Sequence, residues 1–454
     1  MHTGAEIGDG LVAILAGSMA LVVWTRSWVP IVVGTLLVVV VGRPRVALAA
    51  LALMVVGAER SDHAWAGLAP DQLGPFFGAV RIVDDPQPYQ SATRVIVDVE
   101  GERFEVWARS WSLQARVERW QAGEWAIVQG ERHELRADRA GRVAWQHVVG
   151  RLDLAWAGDT DVGSAIARST NRVRTLIGDA STVIPPPLDS LYRGLVIGDD
   201  RDQPQAMIER FRATGLSHLT AVSGQNVAFV LLAAGMVLRR VAPWPRLAAT
   251  AVVIAWFVAL TRFEPSILRA GVMAGLSALA FTLGRERSSA RLLAWAVIAL
   301  LLIDPLLAWS VGFWLSVGAT CGVCVLSRPM QAALPGPGWW RGPLAITLAA
   351  QAGVAIPAVL VFGRLPLVSI PANLLAGPVA GAVMLFGLPA GLLAGAFPVV
   401  APVVMAPITA GTAWVDAVSR AALRLEPPDP WPWVGWGAAL VLVAVRAVVL
   451  SRRA

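Results

Sequence analysis

Apolar residues follow three rhythms along this 454-residue chain. Residues 11–24, 29–41 and 46–57 are apolar runs separated by "TRSW" and "GRPR". Each is short against the ~20 residues of a membrane helix, so three N-terminal helices are expected whose ends borrow flanking residues or thin the bilayer. From Glu59 to Ala157 the rhythm changes: "GPFFGAVRIVDD", "SATRVIVDVEG", "ERFEVWARS", "GEWAIVQGERHEL" and "GRVAWQHVVGRLDLAW" are period-two or β-branched runs bounded by Gly, Asp or Pro. Five such strands in about 90 residues predict a small closed barrel, most simply an OB-fold. The piece "ARSTNRVRTLIGDASTVIPPPLDS" predicts an interfacial helix broken by its prolines. From Leu188 onward the apolar segments lie near 217–238, 245–261, 266–284, 291–303, 309–327, 344–362, 368–394, 397–421 and 433–450, several interrupted by Gly or Pro. The pattern predicts a polytopic α-helical membrane protein with an inserted small extracytoplasmic all-β, OB-fold-like domain. Its parts are N-terminal transmembrane helices (1–58), the OB-fold-like domain (59–157), an interfacial amphipathic linker (158–187) and a second transmembrane domain (188–454).

Composition agrees: 56% of residues are apolar, 15% charged, and the mean hydropathy is +0.60. The formal charge of +7 does not by itself indicate nucleic acid, because all 38 basic residues are arginine, a bias that fits a GC-rich genome. Placement says more than total. "GRPR" at 42–45, Arg239 and Arg240, "GRERSSAR" at 284–291, Arg328, and Arg452 with Arg453 are expected to be cytoplasmic under the positive-inside rule, which leaves the barrel outside a cytoplasmic (inner) membrane. The first apolar stretch lacks a basic leader and reads as an anchor rather than a cleaved signal. Cys321 and Cys324 sit in an apolar segment and read as buried small residues rather than a redox pair or half a metal site.

Polar residues inside the apolar segments carry the functional question. In "FRATGLSHLTAVSGQNVAFVLLAAGMVLRR", Phe211 to Arg240, Gly215 can end one helix, and His218, Ser223, Gln225 and Asn226 flank Gly224 before a membrane span. A break at membrane depth is tolerated where the freed backbone groups face protein or a wet cavity. The other reading is a capped interfacial start of an ordinary span, with Ser223 or Asn226 capping. Three further segments join helix breakers to hydrogen-bonding side chains: Glu264, Pro265 and Arg269; Asp304-Pro305 with Ser310, Ser316 and Thr320; and Gln351, Pro357, Arg364, Ser369, Pro371, Asn373 and Pro378. Discontinuous helices around a polar passage have this composition, and so do ordinary proline kinks with Ser/Thr hydrogen bonds.

The pieces "LYRGLVIGDD…FRATGLSHLTAVSGQNVAF", "SILRAGVMA", "DPLLAWSVGFWLSVGAT" and "IPANLLAGP" occur in this order across Leu188 to Pro378. Together they resemble the competence domain of ComEC-type DNA-uptake channels, and N-terminal helices followed by an OB-fold are similar to that family's arrangement. The resemblance implies a channel passing single-stranded DNA across the membrane in natural transformation. It implies channel-path residues Gly215, Ser217, His218, Ser223 and Gly224, with Arg269, Asp304, Phe313, Ser316 and Asn373 from the later motifs. Gln225 and Asn226 depart from the family pattern, standing where many members have an apolar residue and a histidine. Many members also carry a metallo-β-lactamase-like nuclease domain. No H-x-H-x-D-H cluster occurs in these 454 residues, so the chain is expected to be no enzyme, to hold no metal or cofactor, and to rely on a separate nuclease. The further partners implied are an extracytoplasmic DNA receptor, a cytoplasmic helicase-like motor, single-strand-binding proteins and the lipid bilayer, in an unknown oligomeric state.

A single-strand conduit combines a polar path, cations that attract phosphates, and flat groups for bases. Arg269 is the best intramembrane cation for this, with His218, Gln225 and Asn226 as neutral donors; pairing of Arg269 with Glu264 or Asp304 is the structural alternative. The barrel offers Trp107 and Trp111 as stacking surfaces, with Trp120, Trp125 and Trp145 beside them. Most of these read as core or membrane-interface residues, and from Glu59 to Gly150 the 14 acidic residues outnumber the 11 basic ones, which argues against a strong grip on DNA. Two other readings are an intramembrane serine hydrolase built on Ser223 and His218, whose five-residue separation across a break gives poor geometry, and a small-solute or lipid transporter, for which no internal repeat is evident.

Overall fold

The computed structural model describes residues 9–40, 44–89, 91–220, 224–284, 288–428, 430–438 and 441. Ser223, Arg43, Arg285, Arg287, Arg452 and Arg453 lie outside the described residues. The chain forms two compact units. One comprises the residues up to Arg172 with Ala242–Phe313, the other Val173–Val241 with the residues from Trp314 on.

The first unit joins a β-barrel to apolar helices. Its strands are β1 (Gly74–Ile82), β2 (Gln87–Tyr89), β3 (Ala92–Val99), β4 (Glu102–Ala108), β5 (Trp125–Glu134) and β6 (Val148–Asp161). The order β1-β5-β6-β4-β3 closes on itself through Arg81↔Asp98 and Ile82↔Val97, and among these pairs only β4 and β6 run parallel. The helix Trp111–Val117 stands between β4 and β5. Closure of five strands in this order is the OB-fold arrangement and removes the exposed sheet edges. Alternation decides what fills it: Val80, Val95, Val97, Phe104, Val106, Val128 and Leu152 point inward and pack with Trp120.

Two local readings differ from the structure. The sequence "ADRAGRV" is the helix Ala137–Val143, not the start of a strand, and β6 begins only after the left-handed His147 (φ 60°). Burial of Val143 against Ile96 and Val148 fixes that short helix. The polar residues after Glu59 do not end the third N-terminal helix, which runs Pro44–Ala66. They bond its neighbours instead: Ser61 Oγ donates to Val23 O (3.1 Å), Arg26 Nε to Asp62 (3.1 Å) and Arg60 to Ile303 O (3.2 Å).

Among the described residues, six helices are long and apolar enough to cross a membrane: Pro243–Leu260, Pro265–Thr282, Val311–Ala333, Gly338–Phe362, Ser369–Ala396 and Pro398–Leu425. The last includes a 3₁₀ turn ahead of the helix Ala401–Leu425. Asp9–Thr25, Val29–Val40, Gly224–Leu238 and Ser289–Ile303 are shorter apolar helices. The protein is thus a multi-pass membrane protein with a small inserted β domain. In the second unit, glycine permits backbone-to-backbone packing between helices: a Cβ on Gly322 would lie 2.1 Å from the Ala349 carbonyl, the close approach that small residues give in lipid.

Candidate functional site

In the second unit, the helix Gln205–Ala213 stops at Thr214, whose hydroxyl donates to Arg210 O (2.9 Å). Gly215 then turns left-handed (φ 70°), and Leu216 N–H donates back to Phe211 O (2.8 Å). This is the glycine-terminated helix end that satisfies orphan carbonyls. Glycine is required twice over, because a Cβ at 215 would lie 2.6 Å from the Ser369 Cβ. The break therefore brings the "TGLSH" segment against the start of the helix Ser369–Ala396.

Ser369 is completely buried and gathers neutral polar groups. Its Oγ donates to Pro366 O (2.7 Å) and accepts from Gln351 Nε2 (2.5 Å), while Asn373 Nδ2 donates to Ser369 O (2.7 Å). Glu426 accepts the N–H groups of Leu367 and Val368 (3.1 and 2.9 Å), placing a carboxylate just ahead of the first turn of that helix, where the helix dipole favours it. Beyond the break, Gly224 opens the helix Gly224–Leu238. Gln225 reaches toward Gly381, where a Cβ would stand 3.1 Å from its Nε2. Asn226 is buried. Its Nδ2 donates to Leu195 O (3.1 Å), and its Oδ1 has no hydrogen-bond partner among the described residues. Ser217 and His218 lie exposed on the one-turn helix Ser217–Thr220, and half-buried Ser316 lies on Val311–Ala333.

The remaining motif residues belong to the first unit. Arg269 is buried in Pro265–Thr282 with its guanidinium 3.1 Å from Met273 Sδ. Asp304 accepts Leu306 N–H (3.0 Å) at the head of the turn Pro305–Trp309 and meets His147 Nε2 of the barrel at 2.9 Å. Phe313 is fully buried, its N–H bonded to Ser310 Oγ (3.2 Å). The structure thus brings Gly215, Gln351, Ser369 and Asn373 together in one unit, and holds Asp304 against the barrel in the other.

On the barrel, Trp107 is half-buried beside Tyr89 (ring centroids 5.3 Å apart), with the Arg139 guanidinium 5.5 Å from its ring. Arg139 also clasps Glu105 (2.5 and 3.2 Å), which pairs with Arg94 as well. Burial pushes the Glu105 carboxyl up, but these two guanidiniums outweigh it and hold it below the usual range. Trp111 is exposed and Trp120 is core. Among the described residues no group of three or more His, Cys, Asp or Glu could hold a metal ion.

Sequence reasoning missed the buried ion pairs, one in each unit being the clearest. Asp85 accepts both Arg262 Nε (2.9 Å) and Nη2 (2.8 Å), and Arg262 also donates to Asn171 (2.8 Å). Arg210 pairs with Asp416 and donates to Ser419 (2.9 Å). Charges inside or beside apolar helices were the available signal; their partners lie far along the chain.

The family described as "Competence protein" matches residues 195–452, more than half of the chain. The chain belongs to this family of polytopic membrane proteins. It is 28% identical over 224 residues to "Uncharacterized protein YcaI" of Escherichia coli (strain K12), covering 46% of this chain and 29% of that one. It is 27% identical over 208 residues to "ComE operon protein 3" of Bacillus subtilis (strain 168), covering 45% and 26%. To "Competence protein ComA" of Neisseria gonorrhoeae it is 36% identical over 139 residues, covering 28% and 20%. The matched region thus spans less than a third of each relative's length. No solved structure matches the chain.

Proposed function

We propose that this protein passes a single strand of DNA across the cytoplasmic membrane during natural transformation, with its barrel on the extracytoplasmic side. The observation that carries the reading is the uncharged polar cluster of Gly215, Gln351, Ser369 and Asn373 among apolar helices, with buried Asn226 in the same unit. Neutral amides and hydroxyls exchange hydrogen bonds with a moving strand without holding its phosphates, as a conducting path requires. Gly215, Ser217, His218, Ser223, Gly224, Gln225, Asn226, Ser316 and Asn373 are assigned to the path. Arg269 is assigned the attraction of phosphates, and Asp304 and Phe313 the shaping of their own unit. Trp107 and Trp111 are the proposed stacking surfaces of the barrel. The cluster lies within the family match, and one relative is named a competence protein.

The reading assigns strand degradation, capture and pulling to other proteins: a nuclease, an outer DNA receptor, a helicase-like motor and single-strand-binding proteins. The test is uptake of labelled DNA by a naturally transformable host lacking its own relative, complemented with this chain or with Arg269→Ala or Ser223→Ala, each checked for its level in the membrane. Internal single-stranded DNA restored by the chain, lowered by Arg269→Ala and kept by Ser223→Ala supports the conduit. Uptake lost with Ser223→Ala alone favours the serine hydrolase, and no restoration at all refutes the assignment.

A further inference from the structure

The outer surface of the barrel is not uniformly polar. On the face shared by β1, β5 and β6, Phe77 is 72% exposed, Ile127 47%, Trp156 45% and Trp125 44%. The registers place them together: Phe77 lies opposite Gln129, whose other partner is Trp156, and Ile127 is opposite Ala79, next along β5. Each of these aromatic side chains brings on the order of 150–250 Å² of surface, so leaving them in water is unfavourable.

The anchoring of β6 says what lies beneath this face. At its start, His147 meets Asp304, which ends the apolar helix Ser289–Ile303. Past its other end, Gly163 packs on the backbone of Gly123, and the helix Ala165–Ser181 bonds to Pro243–Leu260 and the turn after it. There Ser169 Oγ accepts from Trp256 Nε1 (3.0 Å) and Asn171 from Arg262 (2.8 Å). The helices Pro243–Leu260 and Ser289–Ile303 are separated by one antiparallel span, Pro265–Thr282, so both of these C-terminal ends reach the same side of the membrane. A 14-residue strand held at both ends to that side lies along the bilayer surface instead of standing away from it. Exposed Val162 and Ile166 continue the apolar surface from Trp125 toward the span that carries Trp256.

We infer that the β1–β5–β6 face of the barrel rests in the lipid interface, with Phe77, Trp125, Ile127 and Trp156 as its contacts. Tryptophan and phenylalanine suit the boundary between headgroups and hydrocarbon. Charge argues against DNA as the occupant. Arg81 is paired with Asp98 (3.0 Å) and Arg151 with Asp153 (2.5 Å), while exposed Glu131, Asp159 and Asp161 border the face and repel phosphates. The same carboxylates make zwitterionic lipid the better match than anionic lipid.

The test uses the full chain in phosphatidylcholine vesicles, in a Cys321→Ser/Cys324→Ser background. Nitroxide labels are placed at Phe77→Cys, at Ile127→Cys and, as a reference, at Tyr89→Cys on β2, which pairs only with β3. The account expects collisions with a water-soluble nickel chelate at both face positions to fall at least ~3-fold below those at the reference, and collisions with oxygen to rise. Nickel collisions equal to the reference at both face positions overturn it. So does dipolar broadening between labels that grows with protein density, which places a second copy there. Shielding that appears only on adding a single-stranded oligonucleotide also overturns it and makes the face a base-stacking surface.

Discussion

Two polar clusters, one in each compact unit, use their groups in opposite ways. In the first unit, the buried Asp85 carboxylate and Arg262 guanidinium clamp segments far apart along the chain. In the second, Gln351, Ser369 and Asn373 are uncharged and bond one another within and between apolar helices. Paired charges taken out of water are held rigidly, because separating them leaves each without compensation. Neutral amides and hydroxyls separate at far lower cost and find new partners. The Asp85–Arg262 pair is thus built to position and the Ser369 cluster to yield, and the second unit carries a clamp of its own in Arg210 and Asp416.

Four substitutions sharpen or break that comparison. The largest effect is expected from Arg262→Ala, which removes the guanidinium that donates to both the Asp85 carboxylate and Asn171. A loss of about 3–5 kcal/mol is predicted, seen as a lower thermal midpoint of the detergent-solubilised chain and new protease cleavage near Ala122, whose N–H also bonds Asp85. Next comes Gly215→Val, which forces a β-branched residue into the left-handed region against Ser369. A loss of about 2–4 kcal/mol is expected from strain and overlap, with DNA uptake abolished. Ser369→Ala removes a hydroxyl without adding bulk and leaves Gln351 without that bond, for a loss of about 1–3 kcal/mol. A smaller fall in stability than for Arg262→Ala, with a larger fall in uptake, fits the division of labour; the reverse order breaks it.

The smallest effect has the opposite sign. Burial first, then the neighbouring Asp85 charge, pushes the Asp84 carboxyl up from 3.8 to about 6. The native protein therefore binds a proton there more tightly than the unfolded chain, and stability falls as pH rises from about 4 to about 6. Asp84→Asn is expected to stabilise by about 1–2 kcal/mol at pH 7, allowing for its partial exposure, and by nothing below pH ~4. Thermal midpoints of both proteins across that range check it.

The barrel was legible because alternation is a local signal. In "WAIVQ" the inward Ala126 and Val128 and the outward Trp125, Ile127 and Gln129 can be read directly, and closure followed from strand number and length. The helix Ala137–Val143 was not legible, since only its packing on Ile96 and Val148 selects it. In the second unit, glycine, serine and amide types in apolar segments pointed to broken helices. Their partners were hidden because nothing local ties Gly215 to Ser369. Nor does sequence tell a buried charge that clamps, such as Arg262, from one that meets a ligand, since both are arginines beside apolar runs.

The most direct measurement is photo-crosslinking to DNA in transit. A photoreactive amino acid is placed at Gln225 in the second unit or, as a control, at exposed Val237, which the helical repeat turns about 120° away from Gln225 on the same helix, in a transformable host taking up labelled DNA. Light-dependent adducts to single-stranded DNA are predicted at Gln225 and none at Val237. Active uptake with no adduct at Gln225, or equal adducts at both positions, would contradict passage of the strand along this path.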